Sequence, residues 1–195
     1  MTRTWVVWAA AVLAAASRVA AQPAALEIDA AQSKVEFTLG DVLHTVHGTF
    51  QLRQGSFEFD PATGRMSGEI VVDAASGSSG NAARDRRMHA NILESDRYPD
   101  IVFRPEWVEG KVMAKGTSQV QVHGMFRIHG VDHEMAVPVD VESNGRYAVT
   151  AHFLVPYVKW GMKNPSTLFL RVNDKVEIAI HAVARPRTTS AVTLK

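Results

Sequence analysis

The chain has 195 residues, of which 46% are hydrophobic, and its 21 basic and 20 acidic side chains give a formal net charge of +1. A nearly neutral chain lacks the excess of basic residues that a nucleic-acid backbone requires, so we exclude nucleic acid as a partner. Because the sequence contains no cysteine, disulfides cannot stabilise it, and a single domain with its own hydrophobic core is expected.

The first 21 residues are typical of a secretory signal peptide. Arg3 supplies a positive start, residues 6–16 form an apolar run, and residues 19–21 are the small residues that precede a cleavage site. This run is shorter than the roughly 20 apolar residues that a membrane-spanning helix needs, and no later segment qualifies. We therefore expect a signal peptide at 1–21, no transmembrane span after its cleavage, and a periplasmic or secreted protein. A retained N-terminal anchor is the alternative.

Alternation of apolar and polar residues predicts short strands along most of the mature chain. The pattern begins at residues 35–39 and continues through 46–52, and its parity changes at Gly55, where we expect a bulge or a bend. Residues 60–64 have the composition of a tight turn. Residues 66–72 alternate again, so the two strands on either side of this turn form a predicted hairpin.

One helical excursion interrupts the strands. Residues 77–80 end the hairpin, and Asn81 is a suitable N-cap for a short helix that continues to Met88. Four consecutive charged residues, 84–87, lie on this helix. They are either a solvated helix face or, through Arg84 or Asp85, a tie between the excursion and the strands.

Strand patterns resume after the excursion at residues 101–107, 118–128, 135–141, 147–155 and 176–180. The total of eight to ten antiparallel strands fits an all-β sandwich or a closed barrel, and the glycines along the strands favour the barrel. An eight-stranded barrel has an interior that is either filled by side chains or open to one small ligand.

The apolar faces of these strands predict which residues point into the barrel. Gly48, Gly68 and Gly124 share the apolar parity and would leave space for a ligand unless neighbouring side chains fill it. A dry, filled interior is the alternative, and the pattern does not decide between the two. The predicted lumen residues are Phe37, Leu39, Phe50, Phe57, Phe59, Ile70, Phe103, Val122, Gly124, Phe126, Val139, Phe153 and Ile178.

The eight histidines do not form a convincing metal site. His44 and His47 are three residues apart and would point to opposite faces of a strand. His129 and His133 flank a predicted turn and could meet, but a catalytic zinc site needs three protein ligands. The parity opposite to the apolar residues places three others in solvent: His123, His152 and His181.

No catalytic machinery is evident in the sequence. There is no cysteine, no GxSxG motif and no serine with a neighbouring base. We therefore predict a protein that is not an enzyme and that carries neither a cofactor nor a metal.

Six short motifs follow one another along the mature chain: residues 29–37, 46–50, 55–61, 84–85, 98–103 and 124–130. As an ordered set, they resemble the YceI-like family of polyisoprenoid-binding, lipocalin-like periplasmic proteins. The resemblance implies an extended antiparallel, eight-stranded, lipocalin-like β-barrel over residues 22–185, with a short helix near its mouth. It further implies an isoprenoid or a similar amphiphilic lipid, such as a quinone, as the ligand held in the lumen.

Two places depart from the family pattern. Gln32 stands where the family commonly has histidine, and the loop at residues 157–167 is elaborated. For the head group of the ligand, the candidates are residues in non-strand segments: Arg84, Asp85 and Trp160. Residues 186–195 are expected to form a flexible tail.

These observations lead to two hypotheses. The first is an exported, non-catalytic protein that holds or carries a polyisoprenoid-like lipid. The alternative is a periplasmic stress or structural protein with a filled barrel, whose histidine-bearing outer face binds a partner or a metal. A homodimer through an exposed edge strand is left open.

Overall fold

The computed structural model describes residues 23–40, 44–167 and 171–187. The predicted signal peptide lies outside these residues, as does most of the predicted tail. The last strand continues through Pro186, and the Arg187 N–H donates to the Ala25 carbonyl at 2.7 Å. The expected tail therefore begins too early at 186, because its first two residues still pair with the sheet.

Nine strands, one 3-10 turn, one α-helix and one π-helical turn make up the described chain. The strands are β1 (Ala24–Ile28), β2 (Lys34–Gly40), β3 (Thr45–Phe59), β4 (Met66–Ser78), β5 (Asp100–Glu109), β6 (Gly116–Ile128), β7 (Val131–Ser143), β8 (Tyr147–Val155) and β9 (Val176–Pro186). The 3-10 turn is Ala30–Gln32, the α-helix α1 is Ala82–Arg87, and the π-helical turn is Met88–Leu93.

The strands form a closed antiparallel ring. From β2 to β9 each strand pairs with the next, and β9 returns to pair with β2, with Val35 opposite Ile180. The short β1 pairs with β3 and β9, so it extends the position of β2 beyond the 3-10 turn. The predicted barrel with eight strand positions is therefore confirmed, with one position shared by two short strands.

The parity change in β3 lies a few residues before the predicted one. The β3–β4 register shifts between Thr49 and Gln51 and again between Leu52 and Gln54, whereas Gly55 pairs normally with Ile70. The role of Gly55 is different, because a Cβ there would lie 2.7 Å from Ile28 Cδ1. This glycine lets β1 pack closely on β3.

Two hydrophobic clusters divide the barrel along its length. At one end, Ile28, Ala182 and Ala184 are buried against half-buried side chains of β3, β4, β8 and β9; we call this the filled end. The other cluster contains Phe126 and Val155 together with Leu93 of the π-helical turn and Tyr157 and Met162 of the β8–β9 connection. We call this second end the mouth, because the barrel is hollow there.

The helical excursion crosses the mouth between β4 and β5. The Asn81 side chain caps α1 by accepting from the Ala83 and Arg84 N–H groups, both at 3.1 Å, as the sequence predicted. The π-helical turn follows directly, and its residue Leu93 is buried in the mouth cluster. No helix in the described ranges is long and apolar enough to cross a membrane.

The β8–β9 connection completes the wall near the mouth. Strands β7 and β8 pair only from Val139 opposite Ala151 to the hairpin turn, so the remaining half of β7 has no ladder partner on that side among the described residues. Trp160 of the connection stacks on His133 of β7, with ring centroids 4.0 Å apart and an interplanar angle of 7°. This stack packs the connection against the half of β7 that lacks a ladder partner on that side.

Candidate functional site

A cavity of about 580 Å³ lies in the mouth half of the barrel. Its size is within the usual range for sites that bind small molecules. Strands supply most of its walls, and the helical excursion and the β8–β9 connection supply the rest. The lining residues are Val35, Phe37, Leu39, Gly40, Val46, Phe50, Val72, Ser79, Ala83, Arg84, Arg87, Met88, Ile92, Leu93, Ile101, Phe126, Ile128, Phe153, Val155, Tyr157, Met162, Pro165, Val172, Val176, Ile178 and Ile180.

The walls are almost entirely apolar. Among the described residues, no carboxylate lines the cavity, and the polar side chains are Ser79, Tyr157 and two arginines. The Tyr157 hydroxyl donates to the Asn173 carbonyl at 2.7 Å. Burial, with a smaller contribution from the charge of Asp174, raises the pKa of Tyr157 to about 12, so this residue is neutral at physiological pH. The arginines, Arg84 and Arg87, are therefore the only charged lining residues in the described part of the chain.

Arg84 and Asp85 attach α1 to the end of β4. The Asp85 carboxylate accepts from the N–H of Ser79 at 2.9 Å and from its hydroxyl, while Arg84 Nε donates to Ser79 Oγ at 2.7 Å. Burial raises the pKa of Asp85, but the hydrogen bonds from Ser79 and Ser78 and the charge of Arg84 together outweigh it and lower the pKa below its usual value. The carboxylate is thus held ionised, and it fixes the start of the excursion.

Two further contacts hold the excursion over the mouth. His89 Nε2 lies 2.8 Å from the Gly77 carbonyl oxygen, and the Tyr98 ring packs on the His129 ring with centroids 4.5 Å apart. A Cβ on Gly130 would lie 2.6 Å from Tyr98 Cε1, so the tyrosine also covers the turn between β6 and β7. Both ends of the excursion are therefore attached to strands.

The structure places six of the thirteen predicted lumen residues on the cavity wall. These are Phe37, Leu39, Phe50, Phe126, Phe153 and Ile178. The prediction differs from the structure for the other seven, which do not line the cavity: Phe57, Phe59, Ile70, Phe103, Val122, Gly124 and Val139.

These residues miss the cavity for different reasons along the barrel. Phe57 and Ile70 pack into the filled end, Phe59 is buried opposite Ala24 of β1, and Phe103 packs against the mouth cluster without reaching the cavity. Val122 is the middle residue of β6, four residues before Phe126 of the cavity wall. Parity assigns a side chain to the inner face, but it does not say at which height along the barrel the side chain lies.

The space beside the three glycines that share the apolar parity is filled by neighbouring groups. A Cβ on Gly48 would collide with the Phe37 ring, and one on Gly124 would collide with the Arg104 carbonyl oxygen. Gly68 has a φ of 125°, and a Cβ there would collide with the Ser56 carbonyl oxygen. In each case a neighbouring strand or ring already occupies the place of the missing side chain.

Two of the three predicted head-group residues also lie off the cavity. Asp85 turns to Ser79, as described above, and Trp160 stacks on His133 with its ring centroid 5.7 Å from that of Phe126. Arg84 does line the cavity, and Arg87 joins it there. Sequence reasoning missed Arg87, although residues three apart on a helix share a face, so its spacing from Arg84 was an available signal.

The histidines occupy several different environments. His133 points inward onto Trp160, where burial lowers its pKa against the opposing charge of Asp132. His129 packs on Tyr98 instead, and His123 stacks on Trp107 at 3.7 Å between ring centroids. Within the described ranges, no three histidine, cysteine, aspartate or glutamate side chains gather in a group that could hold a metal ion.

A second, shallower depression of about 440 Å³ lies apart from the cavity. It is lined mainly by polar residues of β6, β7 and β8, such as Gln121, Asp140 and Thr150, and Val139 contributes to it. His152 is also on its edge. The two depressions share no lining residue.

Comparison with known sequences gives one family. The model of the YceI-like domain matches residues 26–184. A UPF0312 protein of Vibrio parahaemolyticus is 26% identical over 140 residues, which cover 68% of this chain and 71% of that protein. A UPF0312 protein of Pseudomonas savastanoi pv. phaseolicola is 27% identical over 103 residues, which cover 52% of each chain.

Solved structures with the same fold are more distant in sequence. A polyisoprenoid binding domain from Saccharophagus degradans, implicated in plant cell wall breakdown, superposes with a TM-score of 0.67 at 16% identity, over 84% of this chain and 99% of that domain. Burkholderia cenocepacia BcnA gives a TM-score of 0.66 at 21% identity, over 80% of this chain and 98% of BcnA. The YceI protein of Campylobacter jejuni gives 0.60 at 17% identity, over 74% and 87%. At these identities the likeness concerns the fold.

Proposed function

The chain belongs to the YceI-like family, and from this premise we propose that it is an exported, non-catalytic protein that binds a polyisoprenoid-like amphiphilic lipid in the mouth of its barrel. The observation that carries the proposal is the cavity of about 580 Å³ with walls of aliphatic and aromatic side chains. An isoprenoid quinone is one lipid of this class.

The chemistry of the walls suits an apolar chain. Each methylene group that moves from water into such a lumen gains about 0.8 kcal/mol. A few isoprenoid units therefore offset the entropy lost when a flexible chain is ordered. The half-buried rings of Phe50 and Phe153 and the side chain of Met88 offer contact surface without a hydrogen-bonding demand. The Ser79 hydroxyl on the wall is already engaged by Asp85 and Arg84, so it is not presented to the lipid as a nucleophile.

A related fold points in the same direction. The domain from Saccharophagus degradans is described as polyisoprenoid binding, and we extend that ligand class to this chain. The predicted signal peptide at residues 1–21 supports export, so we propose that the protein lies in the periplasm or outside the cell. Both extensions are testable on the full-length protein.

The direct test is extraction of the purified protein with organic solvent, followed by mass spectrometry. Protein made in a host with membranes should release an isoprenoid lipid, and stripped protein should take up an added isoprenoid quinone or alcohol. Recovery of no lipid, together with no uptake, would contradict the proposal. Fractionation of the producing cells should find the processed protein outside the cytoplasm.

A matched pair of variants tests whether the cavity is the binding site. Ala83 of α1 lines the cavity, whereas its neighbour Ala82 does not. The Ala83→Trp change should fill the mouth and reduce lipid uptake at least about tenfold, since a large ring replaces the space for several methylene groups. The Ala82→Trp change places the same ring on the same helix away from the cavity, and uptake should stay at the wild-type level. Equal uptake by both variants would place the lipid elsewhere.

A further inference from the structure

We propose that Arg87, with Arg84 beside it, makes the mouth selective for a lipid with an anionic head group, a phosphate or a carboxylate, over a neutral lipid with the same chain. This inference rests on the proposed function and adds the chemical class of the head. It would rank an anionic lipid above a quinone, whose head is neutral.

The two arginines occupy one face of α1. They are three residues apart, which places both on the side of the helix that faces the cavity. Arg86 is next to them in the sequence but does not line the cavity. The helix thus presents two arginine side chains to the mouth and one to its surroundings.

Arg84 is held in place by Ser79. Its Nε donates to Ser79 Oγ at 2.7 Å and one terminal nitrogen donates to the Ser79 carbonyl at 3.1 Å. Asp85 accepts from the same serine. Arg84 is therefore partly satisfied by the protein, and its remaining terminal nitrogen adds positive charge at the mouth in a fixed position.

Arg87 is not satisfied in this way. In the described ranges its guanidinium group forms neither an ion pair nor a hydrogen bond, although it borders an apolar cavity. Guanidinium carries five N–H donors in a planar fork that matches two oxygens of a carboxylate or a phosphate. The free donors of Arg87 are thus placed where the polar end of a lipid would lie when its chain fills the cavity.

The surroundings favour a negative charge at this place. No carboxylate among the described residues lines the cavity, and the nearest acidic group in sequence, Asp85, is bound to Ser79. The apolar wall lowers the local dielectric and strengthens attraction to an anion. Both arginines are exposed, so water and salt weaken the attraction, and the preference should be moderate and sensitive to ionic strength.

The test compares three ligands that share one isoprenoid chain and differ in the head group: geranylgeraniol, geranylgeranyl phosphate and geranylgeranoic acid. Affinities are measured by titration of the whole mature protein, from which bound lipid has been removed, at low salt and again at high salt. We expect the phosphate or the acid, or both, to bind about tenfold more tightly than the alcohol at low salt, as charge-assisted hydrogen bonds do relative to neutral ones. The phosphate and acid arms show which anionic head is preferred.

Two neighbouring variants locate the preference. Arg87→Gln should lower the ratio of anion affinity to alcohol affinity several-fold, whereas Arg86→Gln, which removes the same charge from the same helix, should retain the wild-type ratio. Glutamine is a good helix former, so both variants should keep the wild-type circular dichroism spectrum. An equal loss in both variants would overturn the proposal in favour of a general surface charge effect.

Failure of this inference is distinguishable from failure of the proposed function. If the wild type binds all three ligands with equal affinity, head-group selection is refuted while lipid binding stands. If it binds none of them, the proposed function falls, and head-group selection falls with it. A preference for the anions that is unchanged by high salt and by Arg87→Gln would also refute the role of this arginine.

Discussion

Four consecutive charged residues on α1 have four different situations. Arg84 bonds to Ser79, Asp85 accepts from the same serine, and Arg86 is exposed away from the cavity. Arg87 borders the cavity, and its guanidinium group has no partner among the residues that the structure describes. In the sequence they form one charged cluster, and a solvated helix face is the simpler interpretation of it. The role of each charged residue depends on the direction of its side chain on a helix of less than two turns.

At the residue scale, the Asp85 carboxylate gives a prediction with a defined pH dependence. Asp85→Asn should lower the free energy of unfolding by about 1 kcal/mol at neutral pH, because hydrogen bonds to a charged acceptor are lost. The folded-state pKa of Asp85 lies below its usual value of 3.8. The difference from the wild type should therefore be fully present above pH 3.8 and should disappear as the pH falls through the folded-state pKa.

Chemical denaturation at a series of pH values measures this difference. Asp96→Asn is the matched control, since Asp96 is exposed, follows the same excursion and has no side-chain hydrogen bond to β4 within the described residues. It should have little effect on stability at any of these pH values. A difference for Asp85→Asn that stays constant down to acid pH would show that its charge is not involved.

At the scale of elements, the close approach of β5 to β6 explains a glycine that the sequence pattern assigned to the lumen. The β5–β6 register shifts between Pro105 and Trp107, and the shifted β5 backbone passes over Gly124. A Cβ there would lie 2.9 Å from Pro105 Cα and would collide with the Arg104 carbonyl. Gly124 is therefore required for strand pairing and not for ligand space.

Gly124→Ala should consequently destabilise the fold. The added methyl group must push β5 away from β6, at a cost of about 1–3 kcal/mol in the free energy of unfolding, measured by denaturant titration. Ala136→Ser also adds one heavy atom, but on the exposed face of β7, and it should be nearly neutral. If Gly124→Ala were neutral and lowered lipid uptake instead, the lumen interpretation of this glycine would be right after all.

The strands were predictable because alternation is a local property. Residues 35–39 and 118–128 lie in strands as predicted, and the Asn81 cap begins the helix where the sequence indicates. The residues of the cavity wall were less predictable. Phe37 and Phe57 both lie on the apolar face of their strands, but they lie at different heights along the barrel axis. Phe37 lines the cavity and Phe57 fills the opposite end. Height depends on the register between strands, which the sequence pattern does not state.

At the scale of the whole molecule, the barrel separates stability from binding along its axis. The filled end buries Ile28, Ala182 and Ala184 with their neighbours, and the mouth end keeps an apolar cavity. A lipid in that cavity would complete the packing of the mouth and stabilise the folded state by mass action. The barrel is therefore neither wholly filled nor wholly open: one end is filled, and the mouth is open.

Two isoleucine truncations should expose this division. Ile28→Ala, at the filled end, should lower the free energy of unfolding by about 2–4 kcal/mol and leave the Kd for an isoprenoid lipid unchanged. Ile178→Ala removes the same atoms from a half-buried position on the cavity wall. It should cost less stability, because its side chain already borders empty space, and it should raise the Kd for the lipid.

Denaturation with and without lipid, together with lipid titration of each variant, measures both quantities. The two variants serve as controls for each other, because the chemical change is identical. Equal stability losses combined with equal losses of affinity would contradict the division of the barrel.

The pairing of β2 with β9 has a consequence for how the chain folds during its synthesis. These strands stand at opposite ends of the domain, with Lys34 opposite His181, so the ring closes only when nearly the whole domain has been synthesised. Until then β2 and β8 are open edges of a sheet, and open edges recruit other strands. Contacts between such distant parts of a chain also form slowly. A polypeptide that stops before Val176 should therefore keep both edges open and aggregate.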